Sequence, residues 1–201
     1  MRSVLMRSRV SRLLLALAVL VGLLAACGND TAPPDDTAFP DDTAFPDDTA
    51  FPDGWDLYTD DETGLTFALP DEPETATQPL SVPDGPSVDL RMYFVDRGDW
   101  AVLVGLNEVP EAGFDLDGAV EGAVDSVDGT IVESSSATVD GHDARDAEVR
   151  FEAEDGGADG LFFLRVMVVD GTTVQFQTIG TTRDREAMLV DHEILRSAVA
   201  P

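Results

Sequence analysis

The chain has no lysine. All twelve of its basic residues are arginine, set against 40 acidic residues in 201, for a formal net charge of −28. A surface this acidic repels phosphate backbones and anionic headgroups, which makes nucleic acid and bare anionic lipid poor partners. Cysteine is nearly absent too, with Cys27 standing alone. One thiol leaves no intrachain disulfide and no thiolate metal centre, so a folded domain must stand on its apolar core. There are two histidines, His142 and His192, and no Gly-x-Ser-x-Gly. A zinc or copper site and the nucleophile elbow of a serine hydrolase both lack their parts. Ser134, Ser135 and Ser136 carry no local signature of a nucleophile, and His142 falls in an expected hairpin turn. His192 is expected on the exposed side of the last helix. Calcium, which needs only oxygen ligands, suits the composition better. The acidic turns at Asp60-Asp61-Glu62, at Asp125 to Gly129 and at Glu154 to Asp159 nevertheless match no EF-hand spacing. Forty carboxylates guarantee some close pairs, so pairing alone does not single out a glycosidase site. No catalytic residue, metal site or cofactor is expected.

Long apolar runs are also scarce, and the most apolar one lies near the start. Arg2, Arg7, Arg9 and Arg12 precede an almost unbroken apolar stretch from Leu13 to Leu24. Cations followed by a short apolar helix are the order of a cleavable export signal. About a dozen residues fall short of the ~20 that span a hydrocarbon core. The run closes on Leu24-Ala25-Ala26-Cys27, which resembles the lipobox of bacterial lipoproteins. That resemblance implies cleavage before Cys27 and diacylglycerol on its thiol. The competing readings are an ordinary signal peptide that ends near a cysteine, or an uncleaved anchor helix. The signal peptide is assigned to residues 1–26, and the mature chain is expected outside the cytoplasm, held to the membrane by lipid on Cys27. Two or three acyl chains give stable anchoring.

A tether follows at 27–53. From Pro34 the hexad Pro-Asp-Asp-Thr-Ala-Phe runs three times and ends at Phe51. Its prolines and paired aspartates keep the backbone extended and self-repelling. Residues 28–53 reach at most about 80 Å at ~3.1 Å per residue. Phe39, Phe45 and Phe51 suit either a spaced set of partner anchors or a duplicated spacer unit, and the spacer is the simpler reading.

Residues 54–201 read as one α+β domain. Strands are expected at 55–58, 65–69, 88–94, 101–106, 130–139, 144–152, 161–169 and 172–179. Asp140-Gly141 and Asp170-Gly171 are hairpin turns, because a turn that matches strand twist needs positive φ. In 144–152, Ala147, Val149 and Phe151 are expected inward, with Glu148, Arg150 and Glu152 outward. A helix is expected at 115–127, capped by Asp115 or Asp117, with Leu116, Val120, Ala123, Val124 and Val127 on its buried face. A second is expected at 183–198, with Ala187, Val190, Ile194 and Ala198 inward. Residues 71–86 read as a long loop and the first choice of contact surface. Deleting 73–85 is then expected to spare the fold and remove capture. The architecture is an antiparallel meander flanked by helices.

That order is similar to the PsbP-like fold, an α/β/α sandwich, and within it to LpqN-type bacterial lipoproteins. The resemblance rests on Trp55-Asp-Leu-Tyr58 with Gly64-Leu65-Thr66-Phe67 and Pro70, on Val139-Asp140-Gly141, on Val169-Asp170-Gly171 before Val174-Gln175-Phe176, and on Ile194-Leu195-Arg196-Ser197. It covers 54–201 and implies a binding or accessory module of the cell envelope, with a protein partner there, and not an enzyme. The alternative is a small-ligand or lipid carrier with a pocket between sheet and helices. The acidity fits either cation or basic-partner binding, or adaptation to a salty exterior. The acids spread over linker, turns and strands, which favours adaptation.

Overall fold

The computed structural model describes residues 51–81, 87–108, 114–152, 159–197 and 199–200. The export signal, Cys27 with Leu24, Ala25 and Ala26, and the repeats before Phe51 lie outside the described residues, as does most of the acidic turn at 154–159.

In chain order the elements are β1 (Asp56–Thr59), β2 (Thr66–Leu69), β3 (Glu74–Ser81), β4 (Ser87–Asp96), β5 (Ala101–Glu108), α1 (Leu116–Asp125), β6 (Thr130–Val139), β7 (His142–Phe151), β8 (Gly160–Val169), β9 (Thr172–Thr181), α2 (Arg185–Ser197) and β10 (Val199–Ala200). A single 3-10 turn, Thr182–Asp184, leads into α2. Seven strands form one antiparallel sheet in the order β3-β4-β5-β9-β8-β7-β6. The expected single meander is therefore two. β3-β4-β5 and β6-β7-β8-β9 run in sequence order, and β9 returns to pair with β5, Leu103 opposite Gln177. The connection through α1 carries the chain to the far edge and lets the second meander fold back. β1, β2 and β10 form a separate ribbon.

The sheet is apolar on both faces, so it needs cover on both. On one face Met92, Leu103, Ala147, Val149, Phe162, Leu164 and Val166 pack with Ala119, Val120 and Ala123 of α1. On the other, Val102, Val104, Met167 and Phe176 pack with Phe67 and Leu69 of β2 and Leu195 of α2. Each fully buried side chain of this size contributes about 1.5–3 kcal/mol. Phe51, the last aromatic of the repeat, packs partly buried against the second cluster. That residue belongs to the domain's packing and is more than spacer.

Local rules explain the turns. Asp140 and Gly141 have φ of 49° and 85°, and Asp170 and Gly171 have 48° and 79°. Two successive positive φ values match the right-handed twist of the strands they join. α1 begins where Asp115 accepts from the Asp117 amide, satisfying one orphan N–H. Gly160 sits opposite Phe151 in the ladder, and a Cβ there would lie 2.3 Å from that ring.

Four expectations are corrected. Residues 71–86 are not a loop throughout, because Glu74–Ser81 is the edge strand β3, paired along its length with β4. Pro79 hid it, and an edge is the place in a sheet where proline is tolerated. Deleting 73–85 would remove that strand and so would not spare the fold. α2 turns a different face inward: Met188, Asp191, His192, Leu195 and Arg196 are buried, while Val190 is 59% exposed. His192 is therefore a core residue. Glu148 is buried also, held by Arg185. These polar groups go inside because the opposing strands supply their partners.

Candidate functional site

The β6–β7 hairpin supplies an exposed strand edge. Its register holds without a break from Val139↔His142 to Glu133↔Glu148, and a bulge beyond Glu133 leaves Val132 47% exposed. A two-residue turn makes the closing pair a hydrogen-bonded one, and bonded pairs alternate from there. Val139, Ala137, Ser135 and Glu133 thus face β7. The backbone groups of Ser134, Ser136 and Thr138 point out of the sheet. Among the described residues no strand pairs with that outer edge. The edge has one charge, Glu133, and no proline over 133–139. β3, at the opposite edge, carries Pro79 and Glu74.

A cleft of about 750 Å³ surrounds this edge. On the α1 side it is lined by Phe114, Asp115, Asp117, Asp143 and Arg145, and on the α2 side by Asp146, Arg165 and Arg196. Ser136, Ala137 and Thr138 form the ridge between the two halves. Three of the eight arginines of residues 54–201 gather here.

The α2 half is built on a buried charge cluster. Arg165 forks onto Asp146, Nε to Oδ1 and Nη2 to Oδ2, both at 2.7 Å. Arg196 donates to the same carboxylate at 2.9 Å and reaches Glu193 at 2.6 and 2.8 Å. Arg165 also donates to the Arg196 carbonyl at 3.2 Å, which ties β8 to the end of α2. Arg, with its planar fork, suits such bidentate pairing. On the α1 half Arg145 bonds Asp117 and Ser136, while Asp117 and Asp143 remain exposed.

The chemically suggestive side chains are otherwise engaged. His192 stacks on Phe163 with centroids 5.6 Å apart, and its Nδ1 is 3.5 Å from the Thr178 hydroxyl. Burial, then Arg196 and Arg165, hold it neutral well below the usual histidine range. Asp60 accepts from the Thr63 amide and hydroxyl, from Tyr93 at 2.7 Å and from Arg91 at 3.0 Å. Burial pushes its carboxyl up, but those bonds and the arginine outweigh burial and hold it below its ordinary value. This carboxylate clips the β1–β2 turn to β4 and has no lone pair to spare for calcium. Ser135 is buried and Ser134 and Ser136 lie on the β6 edge; among the described residues no hydrogen bond joins them to either histidine. Among the described residues no group of three or more His, Cys, Asp or Glu is placed to hold a metal ion, and no helix is long and apolar enough to cross a membrane. The arrangement offers recognition surfaces: backbone groups along an edge, and paired charges on both sides of it.

Twenty-two solved chains match this one. The solution structure of the cyanobacterial PsbP protein of Synechocystis aligns over 73% of this chain and 92% of its own, at 14% identity and a TM-score of 0.53. The domain has the PsbP-like fold. A protein of unknown function from Pseudomonas aeruginosa, described as a putative regulator, aligns over 73% of this chain and 96% of its own at 12% identity and TM-score 0.40. LpqN of Mycobacterium tuberculosis, described as involved in cell envelope biogenesis, aligns over 77% and 83% at 12% identity and TM-score 0.40. No family profile and no curated protein matches the sequence. The likeness across the PsbP-like fold is thus one of architecture, and no binding residue transfers with it.

Proposed function

We propose that the chain is a non-enzymatic interaction module of the cell envelope, anchored outside the cytoplasm by lipid on Cys27, which captures an extended segment of a partner protein along the β6 edge. One observation carries the second half of this reading: the cleft follows an unpaired strand edge and is lined on both faces of the sheet. An added strand has that shape, since its successive side chains alternate between faces. Backbone bonds to Ser134, Ser136 and Thr138 supply affinity, and the two halves of the cleft select side chains. The anchor rests on the arginine-led apolar run and the lipobox-like Leu24-Ala25-Ala26-Cys27.

Two variants test the halves separately. Mass spectrometry should find Cys27 at the head of the mature chain carrying diacylglycerol, a modification lost in Cys27→Ser; an unmodified Cys27 would contradict the anchor. A photocrosslinking residue at Ser134 of the lipidated chain should give one discrete adduct in the producing cell, while the same residue at Thr77 of β3 gives none. Equal labelling at both edges, or an adduct consisting of a second copy of the chain, would contradict capture of a separate partner.

The carrier reading keeps one specific support. Asn107, Thr173 and Gln177 are fully buried on the α1-facing side of β5 and β9, and both polar atoms of the Asn107 amide, the Thr173 hydroxyl and the Gln177 Oε1 lack hydrogen-bond partners. Unpartnered buried polar atoms cost about 1–3 kcal/mol each, a cost that a polar ligand group would offset. Native mass spectrometry decides: a reproducible mass increment on the purified chain, lost in Asn107→Leu, would favour the carrier.

A further inference from the structure

We infer that the segment captured on β6 is basic and alternating, with cationic side chains on its α1-facing positions and small uncharged ones on its α2-facing positions. This rests on the strand-addition reading above and goes beyond it by naming the chemistry of the partner. Charge complementarity carries it, and the two halves of the cleft differ in a way that fixes the alternation.

On the α1 side the edge faces Asp115, Asp117 and Asp143 against a single cation, Arg145. Asp117 and Asp143 are exposed there, and the Asp117 side chain stays 49% accessible although Arg145 bonds it. The Asp117 and Asp143 carboxylates stay in contact with water and can take a second partner, so an arriving Lys or Arg meets them at little desolvation cost. On the α2 side the charges are already matched. Asp146 is shared by Arg165 and Arg196, all three at or below 5% side-chain exposure, and Arg196 also holds Glu193. A further charge placed beside that cluster would be desolvated without a partner, so small polar or apolar side chains fit. A strand turns alternate residues to alternate faces, so the two halves together specify cation, small residue, cation, small residue. Glu133, opposite Glu148, turns to the α2 face near Arg185 and takes no part in the α1-side set, while the net charge of −28 draws a basic segment in from a distance.

The test uses heptapeptides, the length of the open stretch 133–139, on the full lipidated chain in detergent. Lys-Thr-Lys-Thr-Lys-Thr-Lys is compared with its Gln-for-Lys counterpart and with a Lys-Lys-Lys-Lys-Thr-Thr-Thr isomer. The expectation is at least tenfold tighter binding of the alternating lysine peptide than of either other peptide. That binding should weaken severalfold in Asp143→Asn and vanish in Ser134→Pro. Ser134 has an outward N–H, so proline there removes an edge donor and leaves the β7 ladder intact; Thr138→Pro is the replacement if the first variant fails to fold. Equal, Ser134→Pro-sensitive binding of the lysine and glutamine peptides would overturn the basic-partner inference and leave strand addition standing. Equal binding of the two lysine isomers, unaffected by Ser134→Pro, would show bulk attraction and overturn the inference. Binding of none of the three would overturn both.

Discussion

Asp146→Ala removes one carboxylate from between two guanidiniums. The side chains of Arg165, Asp146 and Arg196 are 1%, 5% and 4% exposed, so water does not replace what is lost. Removing one member of a buried ion cluster costs about 3–5 kcal/mol, because the remaining charge stays desolvated. Arg196 keeps Glu193, whose side chain is 43% exposed, and Arg165 keeps its bond to the Arg196 carbonyl. The lower end, about 3 kcal/mol, is therefore expected. Against the ~5–15 kcal/mol that holds a typical domain folded, that is a large fraction. With a urea dependence of ~1.5 kcal/mol per molar, the unfolding midpoint falls by about 2 M, read by circular dichroism at constant slope. The companion variant replaces the cluster by Asp146→Leu, Arg165→Met and Arg196→Leu together. Replacing a buried ion cluster with apolar side chains is often neutral or stabilising, so the triple variant should return to within about 1 kcal/mol of the parent. A loss below 1 kcal/mol in Asp146→Ala would refute the reasoning, since it would mean the cluster is hydrated. A triple variant as unstable as the single one would refute it too.

Three further outcomes follow from the packing. His192 is held neutral in the fold, so the unfolded chain binds a proton that the folded chain refuses. Its contribution is complete above the unfolded value near 6.5 and is lost as pH falls below it; His192→Leu should flatten the stability profile measured by urea titration between pH 7 and 5. Gly160→Ala forces a methyl against the Phe151 ring and should cost about 1–3 kcal/mol in thermal or urea unfolding. Met188→Ala should cost about 2–5 kcal/mol, because Met188 is fully buried; Val190→Ser, on the opposite face of the same helix, should stay within ~0.5 kcal/mol, because Val190 is 59% exposed.

β5 and β8 were legible because an unbroken apolar run marks a strand buried on both faces, and β9 because the Asp170-Gly171 turn folds it back on β8. The two Asp-Gly hairpins were legible because so few residues accept positive φ. α1 and its Asp115 cap followed from spacing and capping chemistry. β3 was missed because Thr75, Thr77 and Pro79 look like loop residues until a neighbouring strand is known. The buried face of α2 was missed for a related reason. Hydrophobicity assigns Asp191, His192 and Arg196 to water, but Trp100 donates to Asp191 at 2.7 Å, Phe163 stacks on His192 and Asp146 accepts from Arg196. Those partners lie 50 to 91 residues away for Arg196 and Asp191. The candidate site was the least legible part. That β6 lies at an edge depends on β9 pairing with β5, a long-range choice that no local pattern records. The serines that carried no catalytic signature, Ser134 and Ser136, are the ones whose backbone groups face outward.

The most direct measurement is amide hydrogen exchange on the lipidated chain, in its native membranes and after extraction into detergent, following peptides from 133–139 and from β3. The account predicts that the outward amides of Ser134, Ser136 and Thr138 exchange slowly in membranes and fast once the partner is stripped away, with β3 unchanged. Fast exchange of those three amides in both states would contradict capture at this edge.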